Sequence, residues 1–104
     1  MHYKETEMKV KLIVKLAGET ITSKCNLNEL PSIGEKYTLL YPHLTDFITL
    51  EIEDIHHFLE FNTHFVQIVL KSQHPQNEIK EKKFYNWFIV NGWQKYEPET
   101  KNIK

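Results

Sequence analysis

The stretch FITLEIEDIHHFLEFNTHFVQIVLKS, running from Phe47 to Ser72, decides how this chain folds. It reads as two long strands joined by a turn at Asn62-Thr63. Phe61 then falls opposite His64, Leu59 opposite Val66, His57 opposite Ile68 and Ile55 opposite Leu70. Side chains alternate between the two faces of a strand, so this set lines one side. Phe58, Phe65 and Val69 line the other. A hairpin apolar on both faces does not stand in water, so something must cover its second face.

The first of these strands also changes phase. Leu50 and Ile52 share a face, whereas from Ile55 onward the apolar set moves to odd positions. A one-residue shift near Asp54 is the mark of a β-bulge, which bends a strand and increases its twist. Bent strands of this kind let small sheets curl toward barrels.

Upstream, Met8, Val10, Leu12, Val14 and Leu16 alternate with Lys9, Lys11 and Lys15, a half-buried strand with a lysine-lined outer face. Ala17-Gly18 supplies a turn. Ile21, Ser23, Cys25 and Leu27 then alternate through a second strand. Pro31 and Gly34 mark turns before a third strand, Tyr37 to Tyr41, and 42–46 forms a loop. Downstream of His74-Pro75, Asn77 can cap a helix, Glu78 and Glu81 suit its first turn, and Gly92 suits the residue after its end. Trp93 is then placed to pack back on Phe88. Asn91-Gly92 also fits a type I′ hairpin turn. The acidic start and the cap favour a helix over 78–91 followed by a short strand, whose Phe84, Tyr85, Trp87 and Phe88, with Trp93, would cover Phe58, Phe65 and Val69.

The fold expected is therefore α+β. It is a single domain over 1–104, with 1–7 and 98–104 as frayed tails. Its core is a small, strongly bent antiparallel sheet or partly open β-barrel of about five strands, carrying a C-terminal helix and a short last strand. Each large side chain so buried contributes about 1.5–3 kcal/mol, so deletion of 78–104 should leave an aggregating protein.

Composition narrows the chemistry. All 13 basic residues are lysine and the formal net charge is −1. Arginine is the residue that grips phosphate and guanine bidentately, so its absence counts against sequence-specific nucleic-acid reading. A single cysteine excludes an internal disulfide and suits a reducing, cytoplasmic setting. No apolar run approaches the roughly 18 residues of a membrane span, and the first fifteen residues lack the apolar core of a signal peptide.

His56, His57 and His64 lie close in sequence to Asp54 and Glu60, but alternation sends His56 and His57 to opposite faces, and the pairing above sets His57 two pairs from His64. No metal, cofactor or catalytic residue is expected. Cys25 alternates with apolar neighbours as a structural thiol, no serine sits in a glycine-flanked elbow, and no glycine loop cradles phosphate. The function expected is that of a small non-enzymatic protein-binding module, accessory or inhibitory in type, with self-association as one form. Trp87, Trp93 and Tyr96 are its candidate contacts and Phe58 and Phe65 their platform, with core packing the favoured role of those two. The alternative is a single-stranded nucleic-acid binder using the stripes Lys9, Lys11, Lys15 and Lys80, Lys82, Lys83, with Tyr3, Tyr37 and Tyr41 nearby.

Overall fold

The computed structural model describes residues 8–40, 46–60 and 63–96. Strands β1 (Met8–Leu16), β2 (Glu19–Leu27), β3 (Lys36–Leu40), β4 (Phe47–Glu60) and β5 (Thr63–Ser72) precede helix α1 (Glu78–Val90) and a two-residue strand β6 (Gln94–Lys95). The expected tails, the loop residues 42–45, Tyr3, Tyr41 and the turn residues Phe61 and Asn62 lie outside the described residues.

β4 and β5 form the expected hairpin in a register two residues tighter. Glu60 pairs with Thr63, Leu59 with His64, Phe58 with Phe65 and His57 with Val66. A slip of one residue would have exchanged the faces; a slip of two preserves them. The bulge falls where the phase shift placed it. Ile52 pairs with Leu70 and Asp54 with Val69, leaving Glu53 as the extra residue.

The expected antiparallel, barrel-like closure is corrected. The sheet is open, six-stranded and mixed, in the order β3-β4-β5-β1-β2-β6. β1 runs parallel to β5, with Val10 beside Val66, Leu12 beside Ile68 and Val14 beside Leu70, so apolar residues of both strands share a face. Closure would bring β3 to the edge of β2. That edge is instead met by β6, at Ile21 and Thr22, while β3 stays at the far side on β4.

The face covered by the helix is also corrected. Phe84 and Phe88 join one buried cluster with Val10, Val14, Ile21, Ile52, Val66 and Ile68. This is the Val66–Ile68–Leu70 face of the hairpin, not the Phe58–Phe65–Val69 face. The reason lies in the complete sheet. β1, β2, β4 and β5 all turn apolar residues to the first face, whereas lysines of β1 and β2 dilute the second. Burial at about 25 cal/mol per Å² draws the helix to the larger apolar area.

The helix itself follows its sequence signals. Asn77 accepts a hydrogen bond from Lys80 N at 3.0 Å, and Glu78 and Glu81 occupy the first turn. At the other end Trp93 N donates to Phe88 O (3.0 Å) and Gly92 N to Ile89 O (3.2 Å), with Gly92 at φ +100°. The Trp93 ring packs against Phe88 at 4.8 Å. This paired 6→1 and 5→2 arrangement with its apolar contact is a Schellman ending.

Glu81 shares the inward stripe of the helix with Phe84 and Phe88 and is 5 % exposed. Its Oε1 accepts from Ala17 N at 2.6 Å, which ties the helix to the β1–β2 turn. Ala17 stands at φ +57° and Gly18 at φ +71°, the pairing of a type I′ turn. The left-handed conformation costs a residue with a Cβ about 1–2 kcal/mol, and asparagine tolerates it best among such residues. Ala17→Asn is therefore expected to stabilise the fold by about 1 kcal/mol, read as a higher urea midpoint with an unchanged slope.

Candidate functional site

With the helix on one side, the opposite face of the sheet lies open. The strand registers lay its residues out in rows across β4, β5, β1 and β2. The first row is Phe58, Phe65, Lys9, Asn26 and the second His56, Gln67, Lys11, Lys24. The third is Asp54, Val69, Ile13, Thr22 and the fourth Glu51, Lys71, Lys15, Thr20. Ile13 (4 % exposed) and Val69 (9 %) form a sealed apolar floor, flanked by side chains whose aliphatic stems can lie along it.

Exposed Phe58 and half-buried Phe65 are the apolar feature of this face. Their rings stack at 5.2 Å and 16°, and Phe58 is 39 % exposed. Aromatic pairing adds about 0.5–1.5 kcal/mol beyond buried area, so the pair is a preformed, rigid surface. His56 meets the edge of Phe58 at 6.2 Å and lies 3.0 Å from Asp54 Oδ2.

Charge is divided across the face. Acidic residues sit on β4 and lysines on β1, β2 and, at Lys71, β5. Lys15 pairs with Glu53 at 3.3 Å, and Lys71 lies opposite Glu51, whose carboxylate accepts from Gln73 at 2.8 Å. Lys11 lies over the Tyr96 ring at 5.1 Å, a cation–π contact. Lys9 and Lys24 have no ion pair among the described residues. Lys9, Lys11, Lys24, Asn26 and Phe65 line a shallow groove at this corner.

Phe58, Phe65, Lys9, Lys11 and Lys15 thus share one face, and Tyr96 borders it. Trp87 and Trp93 do not. Both pack half-buried against the core cluster, under the other face. The second lysine stripe is dispersed. Lys80 and Lys83 hold Asp46 at 3.5 and 3.2 Å, Lys80 lies 4.4 Å over the Phe47 ring, and Lys82 is exposed. The Lys83 hydrogen bond is the main cause holding the Asp46 carboxyl below its ordinary range. Tyr37 is on β3, donating to Glu35 at 2.9 Å, and that bond raises its pKa. Cys25 is half-buried at the rim of the core, and burial pushes its thiol up.

Lys24, Asn26 and Gln67 complete the face. Alternation gave each its side, but the parallel pairing that aligns them with Phe65 depends on a contact between strands far apart in sequence. The histidines separate differently from expectation. His56 turns to Asp54 on the open face, while the tighter register makes His57 and His64 diagonal neighbours on the other, Nδ1 to Nε2 3.1 Å apart. Among the described residues no three His, Cys, Asp or Glu side chains converge on one point. No helix among them is long and apolar enough to cross a membrane.

Comparison with known proteins places the chain nowhere: no family model, curated protein or solved structure matches it.

Proposed function

We propose that this protein is a non-enzymatic binding module whose open sheet face docks on another protein, a second copy of the chain being one such partner. The observation that carries this reading is the stacked Phe58–Phe65 pair, Phe58 exposed and Phe65 half-buried, beside a corner of lysines without acidic partners among the described residues. Rigid aromatics near the centre of an interface supply most of its energy, and charges around them set orientation and association rate. The lysine corner suits a partner surface that is acidic where it meets β1 and β2. The single free thiol fits a reducing, cytoplasmic setting.

The same corner supports a second reading. Lys9, Lys11 and Lys24 around an aromatic pair on an open sheet also suit single-stranded nucleic acid, where bases stack on rings and lysines follow the phosphates. Without arginine such binding would be modest and steeply salt-dependent.

The test is light scattering with an ultraviolet absorbance ratio, on protein purified gently at low salt and again in about 0.5 M NaCl. A protein-like complex that survives salt and is lost in Phe58→Ser/Phe65→Ser is the expected result. The loss per ring should be tenfold or more, as for hot spots worth about 2 kcal/mol. A nucleic-acid absorbance that salt strips away, and that Lys9→Glu/Lys24→Glu abolishes, would establish the second reading instead. Association unchanged in both variants would remove this face from consideration.

A further inference from the structure

His57 and His64 stand on the side of the hairpin away from the open face, at the end remote from the bulge. Their register partners are Val66 and Leu59, so the two are diagonal neighbours, within reach for side chains of this length. Both are exposed, their ring planes differ by 15°, and Nδ1 of His57 faces Nε2 of His64 at 3.1 Å. One proton can occupy the space between two neutral imidazoles, one ring donating and the other accepting.

That spacing is also the spacing of two ligands on one metal ion. With metal–nitrogen bonds of about 2.0–2.1 Å, two ligands at a tetrahedral angle lie about 3.3 Å apart, and two at a right angle about 2.9 Å. The observed 3.1 Å falls between them. Imidazole suits zinc, copper and nickel, and both rings are carried on paired strands. We propose that His57 and His64 form a two-nitrogen half-site for a divalent transition metal, zinc in the first instance, completed by the same pair from a second copy of the chain.

The metal takes the place of the proton between the two rings. The donating ring passes that proton through solvent to its own other nitrogen, so both ligands stay neutral imidazoles with no net proton release, and the exposed rings tilt until their lone pairs converge. Two ligands do not complete zinc's usual coordination of four, and no third side chain among the described residues converges there. A two-fold axis through the ion supplies two further nitrogens and a tetrahedral four-histidine site. It also brings together the two copies of Leu59, which sits opposite His64 and is 80 % exposed. Burying that leucine across the axis favours a second copy over water as the source of the remaining ligands. This site is on the face opposite the Phe58–Phe65 patch and does not depend on it.

The test adds zinc chloride to the full chain, with heat of binding and light-scattering mass followed together. The expected result is saturation at half an equivalent of zinc per chain, doubling of the mass and reversal by EDTA. His57→Ala and His64→Ala should each abolish both effects, with the metal-free melting temperature little changed because both side chains are exposed. His56→Ala, on the other face, and Phe58→Ser/Phe65→Ser should leave both effects intact. Absence of zinc binding, binding that survives His57→Ala or His64→Ala, or saturation at one zinc per chain without a change of mass would each overturn the proposal.

Discussion

Deletion of residues 78–104 is expected to yield a chain that aggregates, and Phe84→Ala a folded protein weaker by about 3–5 kcal/mol. Both follow from one contact. Phe84 is 1 % exposed and Phe88 2 %, each packed into the cluster formed by Val10, Val14, Ile52, Val66 and Ile68. Removing a buried phenylalanine forfeits its transfer free energy and leaves a cavity that the sheet, held by its ladders, cannot close. Against a net stability of about 5–15 kcal/mol for a typical domain, that is a large fraction. Removing the whole segment uncovers the apolar residues of four strands at once, and edge pairing between exposed sheets follows. Urea unfolding followed by tryptophan fluorescence measures the first; light scattering at low concentration reads the second. A monomeric, cooperatively folding truncation would show that the helix is dispensable to the core.

The fold was legible wherever neighbouring residues carried the signal. Period-2 alternation located β1 and β2, and the change of phase at Asp54 located the bulge. Asn77, Gly92 and Trp93 located both ends of α1. The sheet's order was not legible, because β1 and β5 are joined only by contacts between strands more than 45 residues apart. Alternation assigns a side chain to a face but does not say which strand lies beside it. For the same reason the hairpin alone does not show which of its faces the helix covers. Local reading of the hairpin saw apolar residues on both of its sides, and only the assembled sheet shows which side is continuous.

The candidate site was half legible. Phe58, Phe65, Lys9 and Lys11 are each legible in the sequence, under two different functions, and the parallel β1–β5 pairing brings them together in adjacent rows. The histidine pair was hidden by a two-residue error in register, which leaves every face correct while moving His57 away from His64. Trp87 in the helix and Trp93 just past its end carry the sequence signal of contact residues, but both pack against the core, the usual fate of large apolar side chains with a sheet at hand.

The bulge offers a sharper test of the register than any point substitution, because two glutamates two positions apart should respond in opposite ways to deletion. Without Glu53, Ile52 and Asp54 become consecutive. They already pair with the consecutive residues Leu70 and Val69, so the strand becomes regular with every other pair retained. The losses are the local twist of the bulge and the Lys15–Glu53 ion pair, whose side chains are 52 % and 38 % exposed and whose worth is about 1 kcal/mol or less. Deletion of Glu53 should therefore give a folded protein. Deletion of Glu51 removes the same charge from the same strand but breaks the alternation. If the pairing on both sides of the deletion holds, Ile52, now 1 % exposed, turns to the open face and Glu53 takes its place opposite Leu70 in the core. If the upstream part slips instead, Leu50 and Ile48 leave the core and β3 must slip with them. Exposing one such side chain costs about 1.5–3 kcal/mol, and burying an unpaired carboxylate costs several kcal/mol more. Their sum reaches the stability of the whole domain. Circular dichroism and urea unfolding of the two deletions decide the matter: a folded Glu53 deletion beside an unfolded Glu51 deletion is expected, and equal behaviour of the two would contradict the observed pairing of β4 with β5.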